Sequence, residues 1–128
     1  MKIDKILVVG LGSIGKRHLK ILRNFYPKAD IRVFRHKYTN IIPKFSDGIF
    51  TKIKEALEFG PQIAVISNPL PYHMKFAIPL AKIGCNLLIE KPISENKKQI
   101  QQLINLRNEK KILVQVGYNL RFDKGIRY

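Results

Sequence analysis

Short apolar runs alternate along the chain with longer segments in which apolar and polar residues are mixed. The runs at 6–9 and 63–66 are apolar throughout, which is typical of strands that are buried on both faces of a parallel sheet. The complete pattern predicts six strands, at 6–9, 31–34, 49–50, 63–67, 86–90 and 112–116.

The segments between these strands have the apolar spacing of helices and predict four of them, at 14–25, 52–59, 71–83 and 95–110. The buried face of the first helix is expected to consist of Ile14, Ile21, Leu22 and Phe25. Thr51 and Ser94 are predicted N-caps of the second and fourth helices, because their hydroxyls can accept from free backbone N–H groups. Pro79 is expected to kink the third helix.

Strands that alternate with helices at this spacing predict right-handed βαβ units. We therefore expect an α/β fold, a doubly wound parallel sheet with helices on both faces. A chain of 128 residues is long enough for one such domain, and we assign residues 1–128 to it. Ligands of these sheets bind beyond the carboxyl ends of the strands. The residues that follow or end the predicted strands there include Gly10, Arg35, Asn68, Glu90 and Gly117.

Three glycines, Gly10, Gly12 and Gly15, lie between the first strand and the first helix in the pattern G-x-G-x-x-G. In this context the first glycine permits a tight turn, the second lets a pyrophosphate approach the backbone, and the third lets the helix pack closely on the strand. The N–H groups of the first helical turn then face the anion. A glycine-rich turn without a ligand is the alternative, and the flanking strand and helix favour dinucleotide binding.

Arg35 lies 20 residues beyond the last of these glycines, where a fold of this kind usually carries an acidic residue that holds the adenosine ribose. A guanidinium cannot accept a hydrogen bond from a 2′-hydroxyl but can pair with a 2′-phosphate. With His36 and Lys37 beside it, Arg35 favours NADP, and NAD is the alternative cofactor. The alternative interpretation is that Arg35 binds no ligand and is a surface arginine at the end of a strand.

The net charge of +15 is the unusual feature of the composition and raises nucleic acid as a partner. The basic residues are spread over every segment, however, and no nucleic-acid-binding motif is apparent, so we expect neither nucleic acid nor a membrane as partner. No apolar run approaches the length of a membrane span, and because the N-terminal residues lead directly into the first predicted strand we expect no signal peptide. Cys85, the single cysteine, is expected to be a buried filler in a cytoplasmic protein.

Four motifs along the chain carry a family resemblance. In chain order they are V-V-G-L-G-S-I-G-K-R-H at 8–18, S-N-P-L-P-Y-H at 67–73, L-I-E-K-P-I-S at 88–94 and V-G-Y-N-L-R-F at 116–122. The glycines alone are unspecific, whereas E-K-P in that position together with the other three motifs is highly specific. Over essentially all of its length the chain resembles the N-terminal cofactor domain of the Gfo/Idh/MocA oxidoreductases, the glucose–fructose oxidoreductase and inositol dehydrogenase group. The resemblance implies a Rossmann-type fold and sugar or polyol oxidoreduction, with hydride transfer between a substrate carbon and the nicotinamide.

The resemblance also implies roles for individual residues. Those that would hold the pyrophosphate are Gly10, Gly12, Ser13, Ile14 and Gly15. Arg35 would lie beside the adenosine ribose. Those that would line the path to the nicotinamide are Ser67, Asn68, Pro69 and His73.

At the nicotinamide end, Glu90 would bind the ribose and Lys91 would be the catalytic proton-transfer residue. Asn119 and Arg121 would lie near the nicotinamide and the substrate. A surface lysine is the alternative for Lys91, and a histidine with only structural hydrogen bonds is the alternative for His73. The histidines lack the spacing of metal ligands.

Members of this family continue with a second domain that supplies most of the substrate pocket, whereas this chain stops at Tyr128, soon after the last motif. We therefore expect the C-terminal substrate domain to be absent and the chain to be inactive alone. A non-catalytic nucleotide-binding module, or a family remnant, is the alternative. The surface that a second domain would cover is expected to be apolar and to promote self-association.

Overall fold

A computed structural model of the chain describes residues 2–117. Its strands are β1 (Lys5–Val9), β2 (Asp30–Phe34), β3 (Gly48–Phe50), β4 (Ile63–Ile66), β5 (Asn86–Glu90) and β6 (Val114–Gly117). Its helices are α1 (Ser13–Phe25), α2 (Ile53–Phe59), α3 (His73–Lys82) and α4 (Lys97–Lys110), with a short 3-10 turn at Leu70–Tyr72 before α3.

The six strands form one parallel sheet in the order β3-β2-β1-β4-β5-β6. The chain runs from β1 outward to β3 and then crosses back to β4, so the strand order reverses between β1 and β4. Helices pack on both faces: α1 covers a cluster that contains Leu19, and α2, α3 and α4 cover a larger cluster around Phe76 and Leu80. The prediction of a doubly wound α/β fold is confirmed.

Cys85 lies in the larger cluster with none of its surface exposed. Burial raises the pKa of its thiol to about 12, because a thiolate would lose its hydration there. The thiol is therefore neutral at physiological pH, and the prediction of a buried filler is confirmed.

The buried face of α1 differs from the predicted one. Gly15 and Leu19 face the sheet, whereas Ile21 is 44% and Phe25 is 75% exposed. The helix rotates in this way because Gly15 packs against the backbone of Gly10, and this contact fixes which side of the helix meets the strands. The predicted face at Ile21 and Phe25 was wrong.

Both predicted N-caps were also wrong. The cap of α4 is Asn96, whose side-chain oxygen accepts from the N–H of Gln99 at 3.1 Å, so the helix starts two residues later than expected. Ser94 instead accepts from the N–H of Asn96 at 3.0 Å, in the turn that leads to the helix. Thr51 does not cap α2, because the cap position is Lys52 and no side chain of the described chain bonds there.

Residues 35–47 connect β2 to β3, and a partly exposed ion pair anchors the end of this connection. Arg23 of α1 donates to the Asp47 carboxylate at 2.6 Å and to the carbonyl of Phe45 at 3.0 Å. The same carboxylate oxygen accepts from the N–H of Ile31 at 2.9 Å. Partial burial raises the pKa of Asp47, but these hydrogen bonds outweigh it and leave the pKa below its ordinary value.

Replacing this carboxylate should therefore destabilise the fold in a pH-dependent way. Hydrogen bonds to a charged group contribute roughly 1.5–3 kcal/mol, and because Asp47 is partly exposed we expect Asp47→Ala to cost about 1 kcal/mol at pH 7. A lowered folded-state pKa means that the contribution is complete above the unfolded pKa of roughly 4 and is lost as the pH falls below it.

The measurement is urea unfolding of wild type and Asp47→Ala at pH 7 and pH 3, with exposed Glu58→Ala as the matched control. The difference between wild type and Asp47→Ala should shrink at pH 3. A difference that stays constant with pH would show that the carboxylate charge contributes nothing.

Candidate functional site

The residues singled out in the sequence lie side by side along the carboxyl edge of the sheet, as far as the structure describes them. Arg35 follows β2, Gly10 follows β1, and Ser67 follows β4. Glu90 and Gly117 are the last residues of β5 and β6 and are register partners. The strand order therefore brings segments that are far apart in the sequence to one continuous edge.

The glycine turn has the geometry of a close approach between β1, α1 and β4. Gly10 adopts a φ of +90°, and a Cβ there would lie 2.8 Å from the backbone N and Cα of Asn68. A Cβ on Gly15 would meet the carbonyl oxygen of Gly10 and lie 3.0 Å from the Ser67 hydroxyl. By contrast, the Cβ position of Gly12 has no neighbour within 4 Å among the described atoms. Gly10 and Gly15 are thus required by packing, whereas Gly12 leaves open space beside the backbone.

The N-terminus of α1 opens into that space. Gly12 is the N-cap residue, no side chain of the described chain caps the helix, and its first turn contains no acidic residue. Ser13 and Ile14, two of the predicted ligands, are the first two residues of the helix. The N–H groups of this turn and the positive end of the helix dipole form a site for an anion.

Ser67 ties β4 to the glycine turn. Its hydroxyl lies 3.0 Å from the carbonyl oxygen of Val9 and 3.2 Å from that of Gly10. Since a hydroxyl donates only one hydrogen, it alternates between these two acceptors or is shared by them. The Ser67 side chain therefore stabilises the glycine turn through its hydrogen bonds to these backbone carbonyls.

Asn68 is 8% exposed, and neither its amide nitrogen nor its side-chain oxygen has a partner among the described residues. It lines a cleft of about 330 Å³ between the ends of β2 and β4, together with Gly10, Leu11, Phe34, Arg35, His36, Lys37 and Pro69. A buried amide without partners is costly unless a polar ligand or water satisfies it. The cleft therefore suits a ligand that both donates and accepts hydrogen bonds.

His73, at the start of α3, is 2% exposed and contacts two backbone carbonyls. Its Nε2 lies 2.7 Å from the oxygen of Asn68, and its Nδ1 lies 3.1 Å from that of Pro92. The ring thus holds the segment after β4 against the segment after β5. Both ring nitrogens of His73 thus lie against backbone carbonyls of the protein.

The E-K-P segment begins with a buried carboxylate. Glu90 is 7% exposed; its Oε1 lies 2.5 Å from Nε2 of His18, and its Oε2 has no partner among the described residues. Lys91 is exposed, and its backbone N–H donates to the carbonyl of Gly117 at 3.0 Å. The peptide bond between Lys91 and Pro92 is cis. The segment is therefore fixed at the edge by both α1 and β6.

A basic groove adjoins the glycine turn, between α1 and the connection from β2 to β3. Its volume is about 770 Å³, and none of its lining residues is acidic. The basic lining residues are Lys16, Arg17, Lys20, Arg35 and Lys44. Among these cations only Arg35 was singled out from the sequence, although Lys16, Arg17 and Lys20 lie on α1 just beyond the glycine turn.

Asn119 and Arg121 lie outside the described residues. Within residues 2–117, no three His, Cys, Asp or Glu side chains are placed to bind a metal ion together. None of the helices in this part of the chain has the length and apolarity to cross a membrane.

The sequence model of the "Oxidoreductase family, NAD-binding Rossmann fold", Gfo/Idh/MocA, matches residues 5–118. The chain belongs to this family. The match spans most of the chain and confirms the resemblance inferred from the four motifs. No curated protein matches the chain as a relative.

Solved structures with the same fold include dehydrogenases and a protein of gentamicin A biosynthesis. They include GenD2 from gentamicin A biosynthesis in complex with NAD, with 22% identity, a TM-score of 0.79, and coverage of 95% of this chain and 36% of that protein. Myo-inositol 2-dehydrogenase from Lactobacillus plantarum has 20% identity, a TM-score of 0.78, and coverage of 96% and 38%.

The WlbA dehydrogenase from Chromobacterium violaceum, in complex with NADH and UDP-GlcNAcA, has 16% identity, a TM-score of 0.76, and coverage of 96% and 37%. The chain therefore spans less than two fifths of the length of these three proteins. Identities at this level show the common fold.

One polar side chain at this edge was not singled out from the sequence. His18 was quoted within the first motif but given no role, and the structure brings it to Glu90. A signal was present, because His18 is three residues beyond Gly15 and so lies on the same helix face as that glycine.

The glycines allow a test that separates packing from binding. Gly15→Ala should destabilise the fold by about 1–3 kcal/mol, because its Cβ meets backbone atoms that cannot move aside. Gly12→Ala should change stability by less than about 0.5 kcal/mol, since its φ of −75° suits any residue and its Cβ site is open. It should nevertheless weaken NADH binding, because the new methyl occupies the approach of the pyrophosphate.

Urea unfolding and NADH titration of both variants provide the measurements. Equal losses of stability in the two variants would contradict the packing argument. An unchanged NADH affinity in Gly12→Ala would contradict the placement of the pyrophosphate.

Proposed function

We propose that this chain is the cofactor-binding part of an NADP-preferring oxidoreductase that acts on CH–OH groups of sugars or polyols. The observation that carries the proposal is the pair of buried, unpartnered polar side chains, Asn68 and Glu90, beside an open helix N-terminus at one sheet edge. When bound, the nicotinamide ring accepts or supplies a hydride at C4.

The polar atoms along the edge match the parts of a dinucleotide in order. The open turn from Gly12 to Gly15 would bind the pyrophosphate through backbone N–H groups. Asn68 offers both a donor and an acceptor in the cleft beside Arg35. Oε2 of Glu90, further along the edge, can only accept, which suits a ribose hydroxyl.

The preference for NADP rests on charge at the end of β2. Arg35, His36 and Lys37 are exposed there and line the cleft, and the adjoining basic groove contains no acidic residue. A 2′-phosphate would gain charge-assisted hydrogen bonds at this place, whereas a ribose 2′-hydroxyl would find no carboxylate acceptor among the lining residues.

Lys91 is proposed as the residue that exchanges a proton with the substrate hydroxyl. Its backbone is held at the edge by Gly117, and its exposed side chain follows Glu90 directly. An ammonium at this place can donate a proton to a forming alkoxide, and the neutral amine can remove one from a hydroxyl.

Substrate positioning is proposed to depend on a second domain. The chain matches only 36–38% of the length of the three similar structures named above, two of which are myo-inositol 2-dehydrogenase and a dehydrogenase bound to UDP-GlcNAcA. Holding a substrate carbon in reacting geometry can contribute roughly 7–11 kcal/mol. We therefore expect the 128-residue chain to bind cofactor without meaningful turnover.

Calorimetric titration tests the cofactor preference. The chain should bind NADP⁺ more tightly than NAD⁺, and Arg35→Ala should weaken NADP⁺ about tenfold, because one exposed charge-assisted contact is lost. NAD⁺ affinity should stay within about twofold, and Arg107→Ala on distant α4 should change neither. Equal affinities of the wild-type chain for the two cofactors would contradict the proposed preference for NADP.

The role of Lys91 is tested in a longer form of the protein that contains a second domain. Lys91→Ala should lower kcat by about 10²–10⁴-fold, because a general acid–base contributes that much, and should leave cofactor affinity nearly unchanged. Stopped-flow and steady-state kinetics with a panel of polyols would measure both effects. A variant that loses cofactor binding but keeps turnover at saturation would make Lys91 a binding residue instead.

A further inference from the structure

A hydrogen bond joins two elements that are 72 residues apart in the sequence. His18 of α1 and Glu90 at the end of β5 approach to 2.5 Å between Nε2 and Oε1. Their side chains are 24% and 9% exposed, so water competes little for the carboxylate. Glu90 is one of the few buried charged residues in the described chain, and His18 is its one side-chain partner there.

The fold explains why these two side chains meet. Side chains alternate between the two faces of a strand, and Leu87 and Ile89 of β5 belong to the cluster under α3 and α4. Glu90 therefore points to the opposite face, on which α1 lies. Because Gly15 brings α1 close to β1, the next turn of the helix carries His18 to the carboxylate.

This bond uses only one of the two carboxylate oxygens. Oε2 remains buried without a partner in the described part of the chain. On the side of β6, a Cβ added to Gly117 would lie 3.3 Å from Oε1 and 3.5 Å from Oε2, so a larger residue there would crowd the carboxylate, and glycine leaves it room. The contact with His18 therefore holds one oxygen of the carboxylate and leaves Oε2 to accept from a ligand.

We propose that His18 is a positioning residue for the nicotinamide half of the cofactor. It donates to Oε1 of Glu90 and thereby directs Oε2 at a hydroxyl of the nicotinamide ribose. This inference rests on the proposed function, and it adds a residue outside the glycine turn and the E-K-P segment. The bond requires only a hydrogen on Nε2, which both one neutral tautomer and the imidazolium provide.

If His18 only connected α1 to β5, its loss would affect binding in a different way. Two ligands distinguish this structural role from a positioning role. NADPH contains the nicotinamide ribose, whereas adenosine 2′,5′-bisphosphate contains only the adenosine end. A positioning role predicts that His18→Ala weakens NADPH about tenfold and leaves adenosine 2′,5′-bisphosphate within about twofold. A structural role predicts that both ligands weaken together.

Four further variants sharpen the test. His18→Gln keeps an N–H donor near the position of Nε2 and should recover most of the NADPH affinity. Glu90→Gln should weaken NADPH selectively, and adding His18→Ala to it should cost little more, because the two residues act through one contact. Asn24→Ala, exposed on the same helix, is the matched control and should bind both ligands as the wild type does.

The outcomes distinguish this inference from the function on which it rests. A wild-type chain that binds neither NADPH nor NADH would overturn the proposed function and this inference with it. A wild-type chain that binds NADPH, together with His18→Ala that binds it equally well, would overturn the role of His18 alone. Additive losses in the double variant of His18 and Glu90 would do the same.

Discussion

The close approach of α1 to the end of β1 is the constraint on which the site depends. It exists because Gly15 has no side chain and rests against the backbone of Gly10, and because Gly10 can adopt a left-handed φ. From this contact follow the rotation of α1, the open helix N-terminus and the reach of His18 to Glu90. A single additional carbon at residue 15 would disturb all three.

The two edges of the sheet differ in how their polar groups are satisfied. At the amino edge, Gln62 accepts from the N–H groups of Asp4 and Lys5 and donates to the carbonyl of Lys2. Asn86 nearby accepts from the N–H of Leu113. The described residues of the carboxyl edge instead leave buried polar atoms of Asn68 and Glu90 unpaired. Because unpaired buried polar groups are costly, this difference indicates the edge at which a polar ligand binds.

The sequence predicted the positions of the strands better than the contacts between elements. Continuous apolar runs specify buried strands directly, since burial on both faces requires them. The exposure of Phe25 was not predictable from periodicity, because the rotation of α1 depends on where Gly15 meets β1. The pair of His18 and Glu90 was likewise hidden, since only the assembled sheet brings α1 over β5. Local rules also selected Ser94 over Asn96 as a cap, although both are good caps.

At the carboxyl edge of the sheet, exposed charges and buried polar groups act on a ligand over different distances. The exposed cations around Arg35 create a positive field that attracts an anionic dinucleotide without fixing its orientation, and salt screens that attraction. Orientation requires short contacts with buried groups, which here are the acceptor oxygen of Glu90 and the amide of Asn68. Such groups discriminate because a ligand that fails to pair with them leaves them desolvated. Under the proposed function, the basic groove would therefore govern how readily a cofactor arrives, and the buried pair would govern which way its nicotinamide faces.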